Sequence, residues 1–226
     1  MCFNSVGFNW LVSPAATELE MVVINWLANM LKLSKSFMFS GTSGGVIQGT
    51  TNEAIICTHI AARDCAFEIV GIHNIGRLVV YGSDQSHSTY TKACKLVGIF
   101  PCNIRLLPTS TDTCFSLSLV VLRRVIEVDV VDGLVPFYVC VTTSTIVVDP
   151  LDGLADVVVD YGVWLHVDAA YGGSACICPE FWHYLNGLLV KALSTNQEYL
   201  KNKPSESDLV VDYKDWQVGM GSRFYG

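Results

Sequence analysis

The stretch Val163-Trp164-Leu165-His166-Val167-Asp168-Ala169-Ala170-Tyr171-Gly172-Gly173 is an apolar run that delivers one carboxylate, Asp168, at its C-terminal end, with small residues directly after it. Open α/β sheets bind ligands just outside the carboxyl ends of their strands. A half-buried Asp in that place is costly unless a donor or a cation meets it. Two roles are therefore open to Asp168: it caps the backbone that follows, or it is the counter-charge to a cationic ligand.

Outward from this segment the pattern alternates. Strands are expected over 78–81, 104–107, 136–141 and 163–167, and helices over 86–96, 117–127 and 151–161. Strand and helix in turn at this spacing predict an α/β fold, with a mostly parallel sheet and helices on both faces. Upstream, Ser13-Pro14-Ala15-Ala16-Thr17-Glu18-Leu19-Glu20 opens a helix, with Thr17 and Glu20 read as a capping box. Its apolar residues Leu19, Val22, Val23, Trp26, Leu27, Met30 and Leu31 fall on one helical stripe. Phe37-Met38-Phe39 reads as extended, and a further helix runs from about 50 to 64. From about Gly187 the alternation stops, so 1–187 is expected to be one large domain, with 188–226 a separate remnant.

Composition narrows the class. Of 226 residues 51% are hydrophobic and only 15% charged, which predicts a large buried sheet or surfaces meant for a partner subunit. A formal charge of −7 argues against nucleic acid and anionic membrane surfaces as partners. No run reaches the roughly 18 apolar residues of a membrane span. The nine cysteines are scattered, and Cys176-Ile177-Cys178 without nearby histidines is a weak metal signal, so no metal site is expected. An odd number of thiols in core-like segments fits a reduced, cytoplasmic protein.

Three further features suit a flat, electron-poor, phosphorylated cofactor. The glycine cluster Gly41-Thr42-Ser43-Gly44-Gly45 precedes a helix whose first turn holds Thr50, Thr51 and Asn52. N–H groups and hydroxyls at a helix start are suited to a phosphate dianion. Gly82-Ser83-Asp84-Gln85-Ser86-His87-Ser88 brings an imidazole to the C-terminal end of a strand, and Thr142-Thr143 closes another. The cation that would then suit Asp168 is the protonated ring nitrogen of pyridoxal phosphate, an electron sink that needs such a partner.

Taken in order, Gly7-Phe8-Asn9-Trp10, Ser13-Pro14-Ala15-Ala16-Thr17-Glu18-Leu19-Glu20, Gly44-Gly45-Val46-Ile47-Gln48-Gly49-Thr50-Thr51-Asn52-Glu53-Ala54, Gly82-Ser83-Asp84-Gln85-Ser86-His87-Ser88 and His166-Val167-Asp168-Ala169-Ala170-Tyr171 resemble the aromatic-L-amino-acid decarboxylases. These are group II pyridoxal phosphate enzymes of fold type I. Leu193-Ser194-Thr195-Asn196 and Val210-Val211-Asp212-Tyr213-Lys214-Asp215-Trp216-Gln217 bring the plant tyrosine/DOPA decarboxylases nearest.

The resemblance implies roles at matching positions. Thr51 and Asn52 would bind the cofactor phosphate, although several family members have Ser or Cys at the second position. His87 would stack on the ring beside the substrate carboxylate, Thr143 would lie beneath the ring, and Ala170 would touch its face. Asp168 would keep the pyridine nitrogen protonated. Val6 and Phe8 would wall the aromatic substrate, supplied across a homodimer interface. Tyr199 would reprotonate Cα; family members that make aldehydes commonly carry Phe there, so Tyr199 favours simple decarboxylation.

The resemblance also marks what is missing. The family's Schiff-base lysine lies in an Asn-x-His-Lys-Trp segment after the Asp motif. Here Phe181-Trp182-His183-Tyr184-Leu185-Asn186-Gly187 passes straight to Leu188-Leu189-Val190-Lys191. Lys191 matches the downstream block and is not the anchor. About three residues are also lacking before Thr142, and the terminal parts of the family pattern are absent, so the large domain is expected to be incomplete. The expectation is a decarboxylase of an aromatic L-amino acid, tyrosine or DOPA before others, giving tyramine or dopamine and carbon dioxide, but impaired or inactive for want of the lysine. The alternative is a non-catalytic relative that binds pyridoxal phosphate or dimerises with full-length subunits.

Overall fold

Four largely apolar runs pair into one parallel sheet: β1 (Leu78–Ser83), β2 (Ile104–Leu107), β3 (Val135–Thr142) and β4 (Trp164–Asp168). They are seen in a computed structural model that describes residues 10–33, 35–40, 44–143 and 149–181. The described residues fall into two compact units, one ending at Cys57 and one beginning at Thr58. Helix α1 (Pro14–Met30) lies in the first, α2 (Thr51–Val70) runs across the division, and α3 (Ser88–Leu96), α4 (Leu119–Val131) and α5 (Leu151–Tyr161) lie in the second with the sheet. The expected boundary at 187 falls outside the described residues.

The sheet order is β2-β1-β3-β4. Every residue of β1 is buried, as a central strand covered on both faces requires. Register shows which helices cover which face. Val80 pairs with Tyr138, and Tyr81 with Val139, so Tyr138 and Tyr81 point to opposite faces. The Tyr138 hydroxyl meets Thr58 of α2 at 3.0 Å, and the Tyr81 hydroxyl donates to Asp129 of α4 at 2.9 Å. Further along α2, His59 packs on Tyr138 and on Tyr90 of α3. Thus α2 and α3 share one face, α4 covers the other, and α5 packs with α4 through an Arg123–Asp160 ion pair. Helices on both faces are as expected. Phe137 makes the one irregularity, an extra residue of β3 where the β1–β3 register shifts between Val79 and Val80.

Four details differ from the sequence expectation. First, α1 starts earlier, with Ser13 as the residue before the helix and Pro14 in its first turn. Thr17 is then inside the helix, with its hydroxyl donating to the Ser13 carbonyl, and Glu20 accepts the Ile47 N–H at 2.7 Å. Neither caps the helix. Second, the apolar stripe of α1 faces outward: Leu19 is 61% and Trp26 62% exposed, while Thr17, Glu20 and Ala28 are buried. Third, residues Lys35–Phe37 form a 3-10 turn instead of an extended segment. Fourth, α2 continues past Asp64 to Val70, and on its surface Arg63 pairs with its neighbour Asp64 and reaches the Val97 carbonyl. The helix stops only at Gly71, which takes the left-handed φ of +83° that favours glycine.

Beneath the α4 face, Asp129 is buried and accepts from both Tyr81 and Arg105. Removing it strands a hydroxyl and a guanidinium that is itself only 27% exposed. Asp129→Ala is expected to lower unfolding free energy by about 3 kcal/mol in urea titrations. A loss below about 1 kcal/mol would show the triad to be dispensable.

Candidate active site

The sheet order itself locates a crevice. The chain leaves β1 toward β2 on one side and β3 toward β4 on the other, so the direction reverses between β1 and β3. Ligands of open α/β sheets lie at such a reversal, outside the strands' carboxyl ends. His87 follows β1, Thr143 follows β3, and Asp168 ends β4.

The turn after β1 is pinned on several sides. The Ser83 N–H donates to Ser86 Oγ, and the Asp84 N–H donates to the Leu107 carbonyl at the end of β2. The Asp84 carboxylate accepts the Thr109 hydroxyl at 2.6 Å, which holds its pKa below the ordinary value. The turn delivers His87 as the cap of α3, its Nδ1 accepting from the Thr89 N–H with the Thr89 hydroxyl 2.7 Å away. With Nδ1 accepting, the proton of the neutral ring sits on Nε2.

Asp168, Thr143 and Ala170 form one knot. Thr142 lies opposite Asp168 in the β3–β4 register. The Thr143 N–H donates to the Asp168 carbonyl at 3.0 Å, and the Thr143 carbonyl accepts the Gly172 N–H at 3.1 Å. The Asp168 Oδ1 accepts the Ala170 N–H at 3.1 Å. Asp168 therefore does cap the following backbone, with one oxygen, and no ion pair to it occurs among the described residues.

Two positions earlier on the same face of β4 stands His166, which sequence reasoning left without a role. Its Nδ1 lies 3.4 Å from the Thr58 hydroxyl, which also meets Tyr138, and its ring stacks on Tyr138. Burial drives its pKa down to about 4, against an opposing pull from Asp168. At neutral pH His166 is thus uncharged and does not neutralise Asp168. The alternation of β4 was the available signal: a histidine two residues before the carboxylate must share its face.

In the other unit, Thr51 and Asn52 occupy the first turn of α2 as expected. Thr50 and Glu53 bond each other's backbone there, Glu53 N–H to Thr50 Oγ1 and Thr50 N–H to Glu53 Oε2. This is a capping box, so the Thr50 hydroxyl is taken by the helix start. Val6, Phe8 and Tyr199 lie outside the described residues.

The donor set suits a pyridine ring carrying a proton. A strand-end carboxylate stands beside a histidine that burial keeps neutral, and the Thr142 Oγ1, in register with it, is buried with no partner among the described residues. The parallel sheet with helices on both faces and a strand-end carboxylate is the architecture of the pyridoxal phosphate proteins of fold type I. Comparison with known proteins makes the family explicit: the model of the pyridoxal-dependent decarboxylase conserved domain matches residues 2–196, and the chain belongs to that family. It is 64% identical to a tryptophan decarboxylase of Camptotheca acuminata over 99% of this chain and 51% of that protein. It is 49% identical to a tyrosine/DOPA decarboxylase of Papaver somniferum, over 98% of this chain and 48% of that protein. Its fold matches the crystal structure of Catharanthus roseus tryptophan decarboxylase in complex with L-tryptophan with a TM-score of 0.85 at 53% identity, covering 96% of this chain and 52% of the other. The chain spans about half the length of the curated relatives it matches.

The depressed pKa of His166 has a sign that can be checked. The unfolded chain takes up a proton on this imidazole near pH 6.5 and the folded chain only near 4, so acid favours unfolding across that window. Its stability contribution is present above pH 6.5 and is lost toward pH 4, at about 1 kcal/mol per pH unit. Urea midpoints measured from pH 7 to 4 should fall less steeply in His166→Gln than in the parent chain. Parallel curves would refute the assignment.

Proposed function

We propose that this chain is the cofactor-binding part of a pyridoxal-phosphate-dependent decarboxylase of aromatic L-amino acids. The observation that carries the proposal is Asp168, a strand-end carboxylate oriented by the Ala170 N–H and tied through its backbone to Thr143. When bound, pyridoxal phosphate supplies an electron sink for the pair released as the substrate's Cα–carboxylate bond breaks. Asp168 holds the proton on the ring nitrogen that makes the sink effective. His87 offers the face of its imidazole to the ring and its Nε2–H to the substrate carboxylate. Thr143 and Ala170 would contact the ring, and Thr51 and Asn52 would hold the phosphate at the start of α2, where the helix dipole favours an anion. By the family resemblance Tyr199 would return a proton to Cα, and Val6 and Phe8 would wall the aromatic side chain across a homodimer interface.

Among the substrates, tryptophan comes first, because relatives named for it share 64% and 60% identity against 49% for one named for tyrosine and DOPA. Tyrosine and DOPA, giving tyramine and dopamine with carbon dioxide, come next. A cytoplasmic location belongs to the same reading, supported by eight described cysteines that are all free thiols.

The covalent anchor is a separate matter. The 64% alignment extends over 256 positions, 30 more than the 226 residues here, which supports the reading that the lysine segment has no counterpart. The described lysines of the sheet-bearing unit, Lys92 and Lys95, lie within α3 and not at the end of a strand. Without the anchor the cofactor is held by non-covalent contacts alone. The gap equally favours a second reading, a non-catalytic chain that binds the cofactor or pairs with full-length subunits. Co-purification with a complete homologue would favour this second reading, and failure to associate would remove the pairing.

Two measurements test the proposal. Titration with pyridoxal phosphate, followed by absorbance, should show saturable binding that Asp168→Ala weakens about tenfold, the scale of a lost hydrogen bond to a charged group. Equal binding by both proteins would overturn the role of Asp168. Carbon dioxide release from L-tryptophan, L-tyrosine and L-DOPA should stay at background. Turnover of about 1–10 s⁻¹, ordinary for an enzyme, would show that the anchor is dispensable or supplied otherwise.

A further inference from the structure

Asp149 is 1% exposed, and burial raises its pKa, while its two N–H partners pull toward the charged form. An acid just before a helix ordinarily caps that helix. Asp149, one residue ahead of Pro150 and α5, instead spends both oxygens elsewhere. Its Oδ2 accepts the Thr142 N–H at 2.8 Å, and its Oδ1 accepts the Leu117 N–H at 2.7 Å, directly before α4 begins with Ser118 as its cap. Its own N–H returns to the Thr142 carbonyl at 3.3 Å. Thr142 is thus bracketed from both sides of its peptide, and the next residue, Thr143, donates to the Asp168 carbonyl and accepts from Gly172.

We propose that Asp149 is a positioning residue of the cofactor site: it clamps the end of β3 to the entry of α4 and so fixes Thr143 and, through it, the backbone of Asp168. It touches neither substrate nor cofactor. The clamp acts where it matters for the site: β3 ends at Thr142, opposite Asp168, and the Thr143 N–H is the last described bond from this strand to β4. A carboxylate is the group that suits the place. It offers two acceptors to two N–H donors from different elements, whereas an amide would set its NH₂ against one of them. The proposal rests on the functional reading above for the identity of the ligand, and on hydrogen bonds alone for the clamp.

The test compares Asp149→Asn and Asp149→Ala with Tyr81→Phe, which removes a buried hydrogen bond on the opposite sheet face. Amide hydrogen exchange and pyridoxal phosphate titration are the two readouts. In Asp149→Asn the amides of Thr143 and Gly172 should exchange at least about tenfold faster while those of Val79 to Tyr81 keep the parent rate, and cofactor affinity should fall about tenfold. Tyr81→Phe should leave affinity unchanged. If Asp149→Ala does not fold, Asp149→Asn carries the test, since it keeps one acceptor. Parent-like exchange at Thr143 and Gly172, or equal acceleration in β1, would overturn the clamp. If the parent chain itself binds no pyridoxal phosphate, the functional reading fails, and exchange still decides the clamp.

Discussion

The pairing of β3 with β4 is the constraint on which the site depends. Five residue pairs, from Tyr138 with Trp164 to Thr142 with Asp168, run in parallel to the carboxyl edge, and the Thr143 N–H closes the ladder on the Asp168 carbonyl. Because side chains alternate along a strand, a slip of one residue would turn Asp168 and His166 together onto the α4 face. The aromatic and hydroxyl contacts of Tyr138, Thr58 and His166 oppose that slip. Register and chemistry are therefore one question here: what aligns the strands also aims the carboxylate.

Charge in the crevice follows from burial more than from ion pairing. His166 is neutral because its surroundings disfavour the cation, although Asp168 stands two residues away. Cys140 lies between Thr142 and Tyr138 in sequence terms, with its thiol pushed up by burial and by Asp168. Asp168 thus stands among neighbours that stay uncharged. A site built this way is arranged for a cation that arrives with the ligand.

Much of this was legible in the sequence. The strands and α5 were found within one or two residues because buried parallel strands read as unbroken apolar runs and Gly162 stops α5 cleanly. Asp168, Thr143 and His87 were placed at strand ends for the same reason. Local patterns misled where a long-range partner claims the side chain. Thr17 and Glu20 fit a capping box, but Glu20 is bound by Ile47, 27 residues away, and the true box is Thr50 with Glu53. Asp149 and Thr58 were invisible because each has a partner far along the chain, Leu117 at 32 residues and Tyr138 at 80. Helical periodicity correctly gave α1 but assigned no partner to its apolar side.

That side of α1 has a cellular consequence. Leu19, Trp26 and Met30 present a continuous oily ridge to water. Chaperones and proteases sort chains by such surfaces, so in a cell this helix, and not the buried sheet, is the part of the described fold that quality control would read first.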